Sequence, residues 1–352
     1  MVSTIGGDAR RETTMSSKHV FVTGIAGFLG SHLAERLLSL GHRVSGCDNL
    51  RGGYRDNVPG GAELYQIDCC DLDAMKHVLA GVDVLVHAAA LPHEGLSVFS
   101  PSVITQSIVQ GSVTTFTAAI ASGVKRIVFC SSIARYGDSP APFTEDMPPS
   151  PRDPYGIGKV AAENLLRNLA EVHGVEWAIA IPHNIIGARQ KYDDPYRNVA
   201  SIMANLMLQS RQPFVYGDGK QRRCFSPVED ILDCLARLTL DSGMSRLTVN
   251  IGPDESTSVT IIELAQKLAA IIGFDGFEPI HLPSRPCEVK LATCSADLAR
   301  ARLGYRSERT LDDALRDIVT YIRKRGTRPF EYHIDIEIPS DKLPETWKNR
   351  LF

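Results

Sequence analysis

The clearest pattern near the start of the chain is a run of β-branched and aromatic residues, HVFVT at 19–23, which reads as a buried strand. Apolar positions then recur at helical spacing over 28–40, with Gly41 as the stop. The alternation continues, with strands expected over 43–47, 82–87, 125–130 and 177–181. Helices are expected over 71–80, 101–122 and 154–173, and Gly81 and Gly174 close the first and last of these. Strand–helix alternation from 19 to 181 predicts an α/β fold, a doubly wound parallel sheet with helices on both faces.

Past Pro182 the regularity lapses. The stretch 187–198 is polar and loop-like, 201–209, 228–240 and 260–272 read as helices, and 212–216 and 221–225 as short strands. Near the end, 331–338 alternates as a strand would. This predicts a polar, disordered tail over 1–17, in which Met15 is an alternative start. It also predicts a first domain over 18–182 with a returning segment at about 214–245, a smaller α/β domain from 183–213 and 246–329, and an extension over 330–352. No internal repeat is visible.

Composition narrows the function classes. The 38 Lys and Arg against 41 Asp and Glu leave a net charge of −3, without the basic excess of a phosphate-neutralising nucleic-acid binder. With 43% hydrophobic and 22% charged residues the chain is ordinary globular material. No apolar run approaches the ~18 residues of a membrane span, and 1–17 lacks the apolar core of a secretion signal. The eight cysteines include no C-x-x-C pair and no zinc spacing with histidine. They read as small buried hydrophobes in a reducing, cytoplasmic compartment.

Three constellations carry chemistry. The first is TGIAGFLG at 23–30, between a strand and a helix. Gly24 allows the tight turn, Gly27 lets a pyrophosphate approach the backbone, and Gly30 lets helix and strand pack closely, while the helix N-terminus faces the phosphates. Asp48, 18 residues beyond Gly30, ends the second strand and can accept hydrogen bonds from an adenosine ribose, which favours NAD over NADP. The second is Tyr155 and Lys159, i and i+4 on one helix face. An ammonium beside the phenol favours the phenolate. A base useful at neutral pH needs a drop of roughly 3 units from ~10, worth about 4 kcal/mol. Gly156 and Gly158 lie between them, where each costs a helix ~1 kcal/mol, and they make sense if a backbone or cofactor approaches closely. The third is CSSIARYG at 130–137, where a parallel strand ends and open α/β sheets bind ligands. A hydroxyl there can relay a proton to Tyr155.

Taken in this order, TGIAGFLG (23–30), HAAA (87–90), CSSIARYG (130–137) and YGIGK (155–159) resemble the extended short-chain dehydrogenase/reductases, in particular their nucleotide-sugar epimerase/dehydratase branch. PHNIIGARQ (182–190), GDGKQRRCF (217–225), PVED (227–230) and RPCEVK (285–290) extend the likeness across 18–325. The resemblance implies a Rossmann-type sheet that holds NAD and a smaller α/β domain that holds a nucleotide sugar. Tyr155 is then the base, Lys159 orients it and grips the nicotinamide ribose, and Ser132 relays the proton. For the dinucleotide the resemblance implies Gly24, Ala26, Gly27, Phe28, Leu29, Gly30, Asp48, Asn49, Asp68, Cys69, Ala88, Ala89, Ala90, Ser107, Tyr155, Lys159 and Pro182, with Asp68 at the adenine. For the nucleotide sugar it implies His93, Ser132, Asn184, Asn198, Val199, Arg223 and Arg285. The planar, permanently charged arginine fork suits a diphosphate.

Departures from the branch narrow the chemistry. Ile133 and Ala134 stand where 4,6-dehydratases carry an acidic pair and GDP-mannose 3,5-epimerases a cysteine. Ser107 replaces an Asn, Cys224 follows Arg223 where Asp is usual, and the segment LPHEG at 91–95 is foreign to the branch. His93 and Glu94 there either read a sugar substituent or shape the loop. With a Ser-Tyr-Lys set and no further acid or base, the expected enzyme is an NAD-dependent 4-epimerase acting by transient oxidation at C4. UDP is the expected nucleotide by family frequency. Ala292 stands at the position gating sugar size and implies room for N-acetyl or uronate sugars. A 2-epimerase, a dehydrogenase and a non-catalytic NAD-sensing module are the alternatives. The family implies a homodimer through the helices near 101–122 and 155–173.

Overall fold

The alternation within each strand decides which helix covers which side of the sheet. The computed structural model describes residues 17–253, 257–284 and 291–352, the side chains of Leu291 and Ala292 excepted. The strands are β1 (His19–Thr23), β2 (Arg43–Cys47), β3 (Glu63–Tyr65), β4 (Val84–His87), β5 (Arg126–Cys130), β6 (Glu176–Pro182) and β7 (Ile185–Ile186). They continue with β8 (Phe214–Tyr216), β9 (Arg222–Arg223), β10 (Ser226–Pro227), β11 (Leu247–Ile251), β12 (Val259–Thr260), β13 (Ile280–Leu282) and β14 (Leu291–Ala292).

Seven of them form one parallel sheet, ordered β3-β2-β1-β4-β5-β6-β11. On one face Val20, Val22, Val86 and Val128 meet Leu33 and Leu37 of the Phe28–Ser39 helix and Ile231, Leu235 and Leu238 of the Val228–Leu240 helix. On the other, Phe21, Leu85, Ile127 and Ile179 meet Phe116, Leu166 and Ala170 from the Gly111–Ala121 and Pro154–His173 helices. Both faces are therefore dry, as a parallel sheet requires. The fold is the Rossmann-type α/β architecture expected.

Above the sheet's carboxyl edge lies a second apolar layer. The Val199–Leu208, Ile261–Ile272 and Leu311–Arg325 helices pack together through Met203, Met207, Leu264, Leu268, Leu315 and Ile318. The short pairs β8–β13, β9–β12, β9–β14 and β7–β10 stitch this layer.

The boundaries differ from the expected ones. β11, expected in the smaller domain, is the edge of the main sheet beside β6. β8, expected in the returning segment, pairs with β13 instead. The run 331–338 is not a strand. It crosses the surface singly, and its alternation places Tyr332, Ile334 and Ile336 on a cluster with Leu96, Phe99, Tyr196 and Trp347. The helix expected over 101–122 carries a π turn, Gln106–Gln110, between two α segments. Of the tail 1–17 only Ser17 is described, and 285–290, with Arg285, lies outside the described residues. No helix among the described residues is long and apolar enough to cross a membrane.

Candidate active site

A cleft of about 710 Å³ runs along the carboxyl ends of the strands, where the order reverses between β1 and β4. Its first end is the glycine turn. Gly24 has φ +73°, a conformation that favours glycine. At Gly30 a β-carbon would overlap the Gly24 carbonyl oxygen, so helix and turn touch backbone to backbone. Thr23 ends β1 and accepts from the Ala88 and Ala89 N–H groups, each at 3.1 Å, which ties the first turn to the loop after β4. Its hydroxyl then donates to His87 Nδ1 at 2.8 Å, and His87 Nε2 donates to Ser112 at 3.1 Å. Burial, then Lys159, pushes His87 down to about 3, so the ring stays neutral and suits this bridge.

Two carboxylates mark the adenosine side. Asp48 Oδ1 accepts from Leu50 N–H at 2.7 Å and Oδ2 from Ala26 N–H at 3.1 Å. Burial raises this carboxyl, against the pull of those donors. Asp68 accepts from Asn49 at 2.7 Å and Cys70 N–H at 2.8 Å. Burial would raise it, but these bonds outweigh burial and hold it below the usual carboxylate range.

The middle of the cleft holds Ser132, Tyr155 and Lys159. Asp153 caps the Pro154–His173 helix by accepting from Gly156 N–H at 2.8 Å, and Pro154 takes a position where no N–H is needed. This brings Tyr155 and Lys159 to one face. The two glycines are explained by close approach: a β-carbon at Gly156 would stand 2.7 Å from the Ala134 carbonyl oxygen, and one at Gly158 3.3 Å from Ile108 in the π turn. Ser107 of that turn accepts from Leu91 N–H at 3.1 Å.

The electrostatics differ from the simple expectation that the ammonium acidifies the phenol. Lys159 Nζ donates to the Cys130 carbonyl at 2.8 Å and stands 5.9 Å from the centre of the Tyr155 ring. Burial pushes Tyr155 above its ordinary value. The Ser132 hydroxyl pulls the other way, and Glu94 and Asp153 add to the rise. Burial also brings Lys159 from 10.5 down to about 8. The ammonium thus destabilises the dinucleotide-free protein below about pH 8, and this cost fades as the pH rises towards 10.5. Lys159→Met is expected to raise the stability of the dinucleotide-free protein at pH 7 by about 1–3 kcal/mol, read by urea unfolding. A less stable variant would show that the charge is already compensated.

The far end is lined by Asn184, Asn198, Val199 and Arg223. Asn198 caps the Val199–Leu208 helix, its Oδ1 accepting from Ala200 N–H at 3.0 Å. Ala292 pairs with Arg223 between β14 and β9, which keeps it beside this end, although its side chain lies outside the described residues.

Of the expected site residues within the described parts, all but two line the one cleft. Ala26 is wholly buried behind the turn, its N–H given to Asp48. His93 has no accessible side-chain surface and turns away to Asp194. Its neighbour Glu94 opens into the cleft, where the surrounding protein, then Asp153, push it up to about 7 against the pull of Arg223. The expectation of no further acid or base therefore fails: Glu94 and Asp153 both line the cleft. Arg197 was missed altogether. It lines the cleft, donates to the Gly52 carbonyl at 2.9 Å and acts electrostatically on Tyr155 and Asp48. Its only signal was a place just before the Asn198 cap.

A doubly wound sheet with a phosphate-sized glycine turn, an acid at the end of β2 and a Ser-Tyr-Lys cluster after β5 is the build of a dinucleotide-binding α/β protein. The chain belongs to the NAD dependent epimerase/dehydratase family, whose model matches residues 20–252. It is 31% identical over 316 residues to a UDP-glucose 4-epimerase of Mycolicibacterium smegmatis, covering 87% of this chain and 98% of that one. Among solved structures, the UDP-glucose 4-epimerase of Thermotoga maritima with UDP-glucose superimposes with a TM-score of 0.80 at 28% identity, over 87% of this chain and 99% of the other. The Thermus thermophilus UDP-glucose 4-epimerase in complex with NAD gives 0.78 at 28% identity, with the same coverage.

Proposed function

We propose that this chain is an NAD-dependent nucleotide-sugar 4-epimerase acting on a UDP-linked hexose, N-acetylhexosamine or uronate. The observation that carries the reading is the continuity of the cleft: one cavity joins the glycine turn, Ser132, Tyr155 and Lys159, and the Arg223 end. NAD, held by the turn, Asp48 and Asp68, supplies the acceptor and donor of hydride at the sugar carbon. Tyr155 takes the proton of the 4-hydroxyl, and Ser132 relays it. Lys159, on the same helix face as Tyr155, would orient the phenol and hold the nicotinamide ribose. Burial raises Tyr155 and the Ser132 hydroxyl opposes this, so a bound dinucleotide would favour the phenolate by adding positive charge near it. Arg223 and Arg285 hold the diphosphate, so remote binding energy fixes the nucleotide while the sugar turns over between hydride steps. The same reading carries a homodimer through the two long helices, and Ile157 and Val172 are exposed on the second.

Glu94 favours one second reading. A carboxyl that opens into the cleft can, with a 4-keto sugar bound there, remove a proton from a neighbouring carbon, which gives epimerisation or elimination there. A panel of UDP-sugars in D2O, followed by NMR, separates the two. The expected result is interconversion of C4 epimers with no ring deuterium and no net reduction of the dinucleotide. Deuterium next to C4, or loss of water, would establish the Glu94 chemistry instead.

A further inference from the structure

The carboxyl-terminal segment takes no part in the reaction proposed above, yet it is tied to a wall of the cleft. Glu331 N–H donates to the Asp193 carbonyl at 2.8 Å, and Trp347 Nε1 to the Pro195 carbonyl at 3.1 Å. Tyr196 donates to the Ile334 carbonyl at 3.1 Å. Where this segment crosses the loop, His93, Asp194 and His333 converge from three distant parts of the sequence. The side chains of His93 and Asp194 are fully buried and that of His333 is 18% exposed. Both rings present Nε2 to Asp194 Oδ2, His93 at 3.0 Å and His333 at 3.7 Å. One ligand atom from each residue lies within 4.8 Å of the other two.

Hydrogen bonding satisfies this trio only in part, through the His93 Nε2–Asp194 bond and the Tyr196 N–H donated to Asp194 Oδ1 at 2.9 Å. His333 Nδ1 faces the Glu331 carbonyl at 3.2 Å and must carry the hydrogen there. Its Nε2 faces Asp194 Oδ2 at 3.7 Å, beyond hydrogen-bond reach. His333 Nε2 is buried without a hydrogen-bond partner, a state that calls for an explanation. Arg197 Nε reaches the same carboxylate oxygen only at 3.9 Å.

We propose that His93, Asp194 and His333 bind a divalent transition-metal ion of the zinc class, which clips the carboxyl-terminal segment to the loop carrying Arg197 and Asn198. Two imidazoles and one carboxylate suit Zn²⁺ or Co²⁺, whereas Ca²⁺ and Mg²⁺ take oxygen ligands. A metal ion between the rings and the carboxylate gives the unpartnered His333 Nε2 a partner. The ion lies behind the cleft wall. Pro92 and Glu94, on either side of His93, face the cleft while His93 does not, so the ion is structural and touches no reacting atom. The ligands are too far apart in sequence for a zinc motif to reveal them.

The test uses the full chain, treated with chelator, dialysed and titrated with Co²⁺ and then Zn²⁺. One saturable Co²⁺ per chain is expected, with visible absorption that Zn²⁺ abolishes, together with a higher Tm in Zn²⁺. His333→Gln, checked for folding by circular dichroism and dinucleotide binding, is expected to weaken Co²⁺ binding at least about tenfold. Wild-type protein that gives no saturable cobalt spectrum at micromolar ion overturns the site. So does equal uptake by wild type and a folded His333→Gln, which would place the ion on surface histidines. If His333→Gln does not fold, the wild-type cobalt titration decides alone.

Discussion

Tyr155→Phe is expected to lower turnover by about 10²- to 10⁴-fold, the range that a positioned acid–base group contributes, while the dinucleotide remains bound. The ring fills a site where only 8% of the residue is exposed, so phenylalanine preserves the packing and removes only the hydroxyl. The cleft gives that hydroxyl its work: Ser132 favours its ionised form, Lys159 lies along the same helix face, and both line the same cavity. Stopped-flow measurement of turnover, with dinucleotide retention read by absorbance after gel filtration, checks both halves. Turnover within a few-fold of wild type would remove Tyr155 from the mechanism. Loss of the dinucleotide along with turnover would mean that the hydroxyl binds the cofactor rather than moving a proton.

Gly30→Ala is expected to cost about 3 kcal/mol or more and to abolish dinucleotide binding. One methyl would meet the Gly24 carbonyl, its carbon and the Ile25 Cα, all backbone of the turn that faces the phosphates. Backbone cannot rotate away as a side chain can, so the helix must lift or the turn must open. Gly60→Ala is the control, since a β-carbon there meets nothing within 4 Å, and it should stay within about 0.5 kcal/mol of wild type. Urea unfolding and dinucleotide titration of both variants are the measurements. A Gly30→Ala protein of native stability that still binds the dinucleotide would contradict the close packing described.

The half of the fold that reads most clearly from sequence is the half with local punctuation. The Pro154–His173 helix is bounded by the Asp153 cap and by Gly174 at φ +67°, and the sheet helices and most strands before Pro182 carry similar signals. The cleft residues on these elements follow from their position at strand ends. What failed depends on contacts distant in sequence. β11 is not among the expected strands, and nothing in LTVNI says that it pairs with β6 rather than with the second layer. The Leu311–Arg325 helix, not among the expected helices, is the exception, for it carries a local sign, a reciprocal Thr310–Asp313 capping box. β3 is only three residues long. His93 and Glu94 are neighbours with opposite fates, because a short helix starting at Glu94 turns one to Asp194 and the other into the cleft. Likewise, the spacing of Tyr155 and Lys159 set their common face correctly and said nothing of the desolvation that governs both groups.

The return of the chain to complete the main sheet has a consequence for cutting or recombining this protein. Residues 199–227 leave the sheet after β6 and come back before β11, so a fragment ending at Pro182 would expose a full row of unpaired N–H and C=O groups on β6. It would also lose Ile231, Leu235 and Leu238 from one face of its core. Such a piece should self-associate rather than stand alone. Exchange of the sugar-recognising layer between relatives would have to be done as several short grafts, because no single crossover point separates the two layers.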